Sequence, residues 1–166
     1  MHPFELTTDL ETDNPDIDGR HRALFGIANQ ILFSTELGQN PARFQRAVAA
    51  LVSLLEYHFA SEELAMSQYG YLRWRFHAAF HDHVLGEARN IAERLERDGQ
   101  IEPARDAIFF LLEDWVVYHV ARADRELAEH LREQAAESAA RLPEIGPLKH
   151  AGKLSANFDE RLLAVP

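Results

Sequence analysis

The 166-residue sequence predicts an all-α fold: an up-down-up-down four-helix bundle with an N-terminal arm and a C-terminal extension. Three observations predict it. Apolar residues recur every three to four positions along four long stretches, glycine or an Asn-Pro pair marks the joints between them, and no strand-like alternation occurs anywhere. Joints this short make antiparallel neighbours the natural packing.

Residues 1–17 are polar and turn-rich, with Pro3 and Pro15, and read as an extended arm. A first helix is expected over 18–37, capped by Asp18 and followed by Gly38, with His21, Leu24, Phe25, Ala28, Ile31 and Leu32 facing inward. Asn40 and Pro41 supply a cap and a first-turn proline for the second helix, expected over 41–69 and stopped by Gly70. Its inward stripe is Phe44, Val48, Leu51, Leu55, His58, Glu62 and Met66. The third spans 72–98 before Gly99, with Trp74, His77, His81, Leu85, Ala88, Ile91 and Leu95 on one side. The fourth opens near Pro103 and runs past Leu131, along Ile108, Leu111, Leu112, Trp115 and His119. Residues 1–140 therefore read as one domain. Residues 141–166 read as a separate extension, broken by prolines and glycines, that either packs on the bundle or stays free of it.

Composition removes several function classes. A net charge of −10 with scattered arginines argues against nucleic acid, which needs a basic face. The absence of cysteine excludes disulfides, thiolate zinc sites and ordinary iron–sulfur clusters. No run is long and apolar enough for a membrane span and no secretory signal is evident, so a cytoplasmic location is the expectation.

The chemistry lies in seven side chains: His21, His58 with Glu62, His77 with His81, and His119 with Asp124. Residues four apart share a helix face, and each group is in register with an apolar stripe, so these polar groups point into a core. Buried imidazoles and carboxylates are costly without a partner, and a metal would serve all of them. Each group is a weak signal alone. His77 and His81 have a zinc-protease spacing, but position 78 is alanine where a general base would be needed. Together they are specific, because all four sets fall toward one end of an antiparallel bundle. The five-residue spacing of His119 and Asp124 places them about 140° apart on a regular helix. Either they flank the site from two edges or a local π-type widening brings them together. His2, His83, His130 and His150 read as structural or surface groups, and Glu63 and Asp82 as solvated acids.

The stretches Asp16-Ile17-Asp18-Gly19-Arg20-His21-Arg22-Ala23-Leu24-Phe25, His58-Phe59-x-x-Glu62-Glu63-x-x-Met66, His77-x-x-x-His81 and Trp115-x-x-x-His119-x-x-x-x-Asp124 resemble the hemerythrin family, in particular its bacterial single-domain members. The resemblance covers about residues 4–130. It implies a non-haem di-iron centre that binds O2 reversibly, with His77, His81 and His119 on one iron and His21 and His58 on the other. Glu62, Asp124 and an oxo or hydroxo group would bridge the two irons, leaving one iron an open position. The family's usual arm tryptophan is replaced by Leu6, and its proline before the third helix by Tyr71-Leu72.

The residues agree independently, since a nitrogen-rich set of imidazoles suits iron and the Glu-x-x-His repeats of ferritin-like oxidases are missing. The expectation is an O2 binder rather than an enzyme, used for storage, transport or delivery to an oxygen-consuming enzyme. The alternatives are an oxygen or redox sensor acting through a signalling partner, and a di-iron ferroxidase, peroxidase or nitric-oxide-handling protein. Phe25, Phe59, Trp115, Val116 and Val120 are the candidates for a dry pocket around the open iron.

Overall fold

The computed structural model describes residues 1–141; the expected extension, apart from Arg141 at the end of the last helix, lies outside the described residues. The helices are α1 (Pro15–Phe33), the one-turn α2 (Thr35–Gly38), α3 (Pro41–Gln68), α4 (Trp74–Asp98), α5 (Ile101–Trp115) and α6 (Arg125–Arg141). A π-helical segment, Val116–Asp124, joins α5 to α6 without a break. Helices α1, α3, α4 and α5 form the bundle, and α6 carries the fourth helix beyond its end. The described fold is all-α, as the periodicity predicted.

Local chemistry explains where the helix ends differ from expectation. α1 begins at Pro15 rather than Asp18, because the side-chain oxygen of Asn14 accepts from the backbone N–H groups of Asp16 and Ile17. Asp18 is instead a buried acceptor inside the helix, bonded by the backbone N–H and the hydroxyl of Thr12 at 2.9 and 2.8 Å. The first helix also breaks at Ser34, whose hydroxyl caps α2 through the Leu37 N–H. The Arg105 Nε–H then bonds the Ile31 carbonyl at 3.1 Å from across the bundle. α4 starts at Trp74, and Trp74 itself is half exposed rather than inward. Gly99 closes α4 in the left-handed conformation at φ 65°, which a side chain would strain.

The core is continuous and mostly hydrocarbon, built on Leu24, Ile31, Phe44, Val48, Leu51, Leu55, Ile91, Leu95, Ile108 and Leu112. A smaller cluster of Met66, Tyr71 and Leu127 seats α6 on the turn between α3 and α4. The arm is anchored by Phe4, with Leu6 partly buried against the same core. Phe4 is buried against Phe25 and Phe109, with ring centroids 5.9 and 5.8 Å away. The Asn29 amide exchanges two 2.8 Å bonds with the Phe4 backbone, so the arm is tied down where it covers Phe25.

Candidate metal centre

All seven predicted side chains meet at one end of the bundle. His21 lies one and a half turns into α1, His58 and Glu62 lie near the end of α3, and His77 and His81 lie in the first two turns of α4. His119 and Asp124 come from the π segment. The widened helix brings these two to one face, with His119 Nε2 2.9 Å from Asp124 Oδ1. Every one of the seven is buried.

The ring nitrogens that converge are all Nε2, and each carboxylate divides its two oxygens between two groups of histidines. Glu62 Oε2 lies 3.1 Å from His77 and 3.3 Å from His81, while its Oε1 lies 3.7 Å from His58. Asp124 Oδ1 lies 3.2 Å from His77 and 2.9 Å from His119, while its Oδ2 lies 3.0 Å from His21 and 4.0 Å from His58. Two sets of potential ligands result, each with its atoms within 4.8 Å of one another: His77, His81 and His119 with both carboxylates, and His21 and His58 with the same two carboxylates. Two sites sharing two acids is the geometry of a bridged pair.

The donor set fits metal better than it fits itself. His81 Nε2 and His119 Nε2 face each other at 3.0 Å, where two unprotonated nitrogens would only repel. His58 Nε2 and Glu62 Oε1 are buried with no hydrogen-bond partner in the protein. Each such orphan costs on the order of 1–3 kcal/mol. A cation in each site would take these lone pairs. Five imidazoles and two carboxylates suit iron and its divalent neighbours.

Without metal, the groups polarise one another. Burial pushes His58 down to about 4 despite the pull of Glu62 and Asp124. Burial would also lower His77, but its bonds to Asp124 and Glu62 outweigh that and hold it up at about 9. Burial and the charge of Asp124 would raise Glu62, yet His58 and the bonds from His77 and His81 bring it down to about 2. Asp124 is likewise held well below the usual carboxylate range, the attraction of His119 and the bonds from His119, His21 and His77 exceeding its burial penalty. His77 is thus the imidazole that the two carboxylates hold most firmly in its charged form.

Aromatic side chains wall the two halves differently. Trp115 is fully buried and sets its ring edge-on to His21 and His58, at 5.6 and 5.8 Å. Phe25 stacks beside His21 at 6.3 Å. Phe59 stacks on His81 at 4.1 Å with its ring nearly parallel. Val120 is buried in the core, and Val116 is half-buried against it. Two further contributors escape the sequence pattern. Phe80 stacks on His119 at 4.7 Å, a position legible as one residue before His81 but not on the inward stripe. Glu63, expected to be a solvated acid, accepts from His81 Nδ1 at 3.0 Å. Glu62 beside it is legible as a ligand, but the sequence carries no mark of a contact from Glu63 to a residue 18 positions away. His83 and Asp82 are exposed as expected, and His130 bonds the Tyr69 carbonyl.

Comparison with known proteins fits this geometry. Residues 12–131 match the family model of the hemerythrin HHE cation binding domain. The chain is 29% identical over 108 residues to a bacteriohemerythrin of Methylococcus capsulatus, covering 65% of this chain and 80% of that protein. It is 31% identical over 132 residues to a bacteriohemerythrin of Clostridium acetobutylicum, covering 74% of this chain and 97% of that one. It is 26% identical over 122 residues to a hemerythrin of Sipunculus nudus, covering 74% of this chain and 88% of that protein. No solved structure matches the chain at comparable significance.

Proposed function

Because the chain belongs to the hemerythrin family, a family of di-iron oxygen binders, we propose that it binds O2 reversibly for storage, transport or delivery, and that it is not an enzyme. One observation supports this most directly: each of two buried carboxylates turns one oxygen to a three-histidine group and the other to a two-histidine group. In this reading His77, His81 and His119 would hold one iron, His21 and His58 would hold the other, and Glu62 and Asp124 would serve both. The two-histidine side has one protein ligand fewer, which leaves a position for a small molecule. An iron pair held there would supply the electrons for reversible O2 binding.

The protein's share is exclusion and orientation. Trp115 sets its edge against the rings of His21 and His58, Phe25 stacks beside His21, Phe59 leans on His58, and the Phe4 arm backs Phe25 from outside. A dry wall of this kind keeps water and protons away from what is bound, so that it leaves as O2. The walls offer aromatic carbon and an indole N–H rather than a general acid or base, which supports binding over turnover.

The test is a visible spectrum of anaerobically iron-loaded protein, before air, in air and after air is removed. A charge-transfer band that comes and goes with O2 establishes a reversible binder. A band that settles once and does not reverse rejects the carrier reading in favour of a sensor or oxidase.

A further inference from the structure

We propose that Glu63 is a positioning residue for the three-histidine half of the centre, holding His81 in its Nε2-ligating form and lowering the reduction potential of the iron bound there. The inference rests on the di-iron reading above and adds a residue to it. His81 is caught on both sides. Its Nε2 faces the site, 3.3 Å from Glu62 Oε2 and 3.0 Å from His119 Nε2, and its Nδ1 donates to Glu63 Oε1 at 3.0 Å. Phe59, stacked at 4.1 Å and 10° from parallel, fixes the plane of the ring between these two ends. The Nδ1–H bond leaves the Nε2 lone pair as the free one and aims it at the metal position.

The arrangement distinguishes His81 from other ligands. The Nδ1 atoms of His21, His58 and His77 are buried and have no hydrogen-bond partner in the protein. Among these four histidines, only His81 leans on an anion. A carboxylate drawing on the Nδ1 proton gives the ring imidazolate character, makes it a stronger donor and favours the more highly charged metal. The effect falls on one half of the centre, so the two irons are made electronically unequal by the chain itself. Consecutive acids on α3 thus act in different ways: Glu62 reaches the metal positions directly, and Glu63 acts through a ligand. Glu63 is half-exposed, in a surface groove beside Met66, Tyr71, Leu72 and Trp74, so solvent screens its charge and moderates the effect.

The test uses full-length protein in two metal forms with Glu63→Gln, which keeps an acceptor but removes the charge, and Glu63→Leu, which removes both. Glu56→Gln is the control, because Glu56 lies on the same helix but pairs with Arg89 and touches no ligand. In the zinc-loaded form, nitrogen-15 spectra read which ring nitrogen of His81 carries the proton. The wild type and Glu63→Gln should show a protonated Nδ1 in a strong hydrogen bond, and Glu63→Leu should lose that bond and bind one of its two zinc ions roughly tenfold to hundredfold more weakly. In the iron-loaded form, Glu63→Gln should keep two irons and show a raised midpoint potential, with the control unmoved. A wild-type zinc affinity and His81 spectrum in Glu63→Leu would overturn the positioning role, and an unchanged potential in Glu63→Gln would overturn the electronic one. If the iron-loaded wild type fails to bind O2 while the zinc-loaded spectra respond as stated, the parent reading falls and the role of Glu63 stands.

Discussion

The two ends of this bundle are built on the same four helices and packed for opposite purposes. At one end Ile31, Phe44, Val48, Leu51, Ile91, Leu95 and Ile108 close on one another as hydrocarbon. At the other, the same stripes continue as His21, His58, Glu62, His77, His81 and Asp124 at equal burial. Removing apolar surface from water stabilises the first end by about 25 cal/mol per Å², with nothing further required. Burying ionisable groups costs free energy until a partner arrives. The apolar end therefore supplies the stability that lets the other end be preassembled and short of partners.

The largest effect that tests this contrast is removal of metal. Chelation should leave the helical content intact, because the apolar end does not depend on metal, yet lower the thermal midpoint substantially. Metal at a thousand times its dissociation constant contributes about 4 kcal/mol by mass action, and thermal melts followed by circular dichroism will show it. Loss of helix on chelation would mean that the apolar end cannot fold alone. Leu51→Ala is the mirror test and should cost about 2–5 kcal/mol with or without metal.

Next in size are the shared acids. Asp124→Asn should reduce iron from two per chain to one or none, since Oδ1 and Oδ2 face different histidine groups. Metal analysis of the purified variant decides it, and two retained irons would remove the bridging assignment.

Trp115→Ala should speed autoxidation severalfold while metal content stays at two, because the indole walls the two-histidine side. Trp115→Phe is the gentler form, and it also removes a buried N–H that has no partner. An oxidation rate unchanged in both variants would take Trp115 out of the pocket.

A pH series on metal-free protein sharpens the comparison further. His77 is raised from 6.5 to about 9, so its contribution is fully present below 6.5 and is lost as pH rises through 9. His58 is lowered from 6.5 to about 4, so its contribution is present above 6.5 and is lost as pH falls through 4. Glu62 adds a loss toward pH 2. Metal-free stability should thus peak near pH 6.5 and fall on both sides, toward 9 and toward 4. Zinc loading at pH 7 should also release the His77 proton, measurable by calorimetry in buffers of different ionisation heat, and release less above pH 9. The smallest effect belongs to the surface. Glu11→Gln breaks an exposed pair with Arg22 and should change stability by less than about 1 kcal/mol.

Much of this was legible before the fold. The periodicity of α1 and α3 marked both the core and the ligands on it, because a side chain in register with a buried stripe is buried too. The start of α1 was not legible, because Asp18 and Asn14 are both good caps and only the hydrogen bonds decide which one caps. Trp74 falls on the inward stripe of the sequence pattern, but α4 begins at that residue and its side chain faces out.

By itself the sequence determined the all-α class, the four long segments and the seven candidate ligands, since each depends on spacing along one chain. Three things were decided only by tertiary structure. The π segment resolved the spacing of His119 and Asp124, a choice between backbone forms that the residue pattern had left open. The division of each carboxylate between two histidine groups needs four helices at fixed heights. The contact from Glu63 to His81 joins two helices at a level that no periodicity records. Local pattern says which face is buried, and only packing says which atom on another helix it meets.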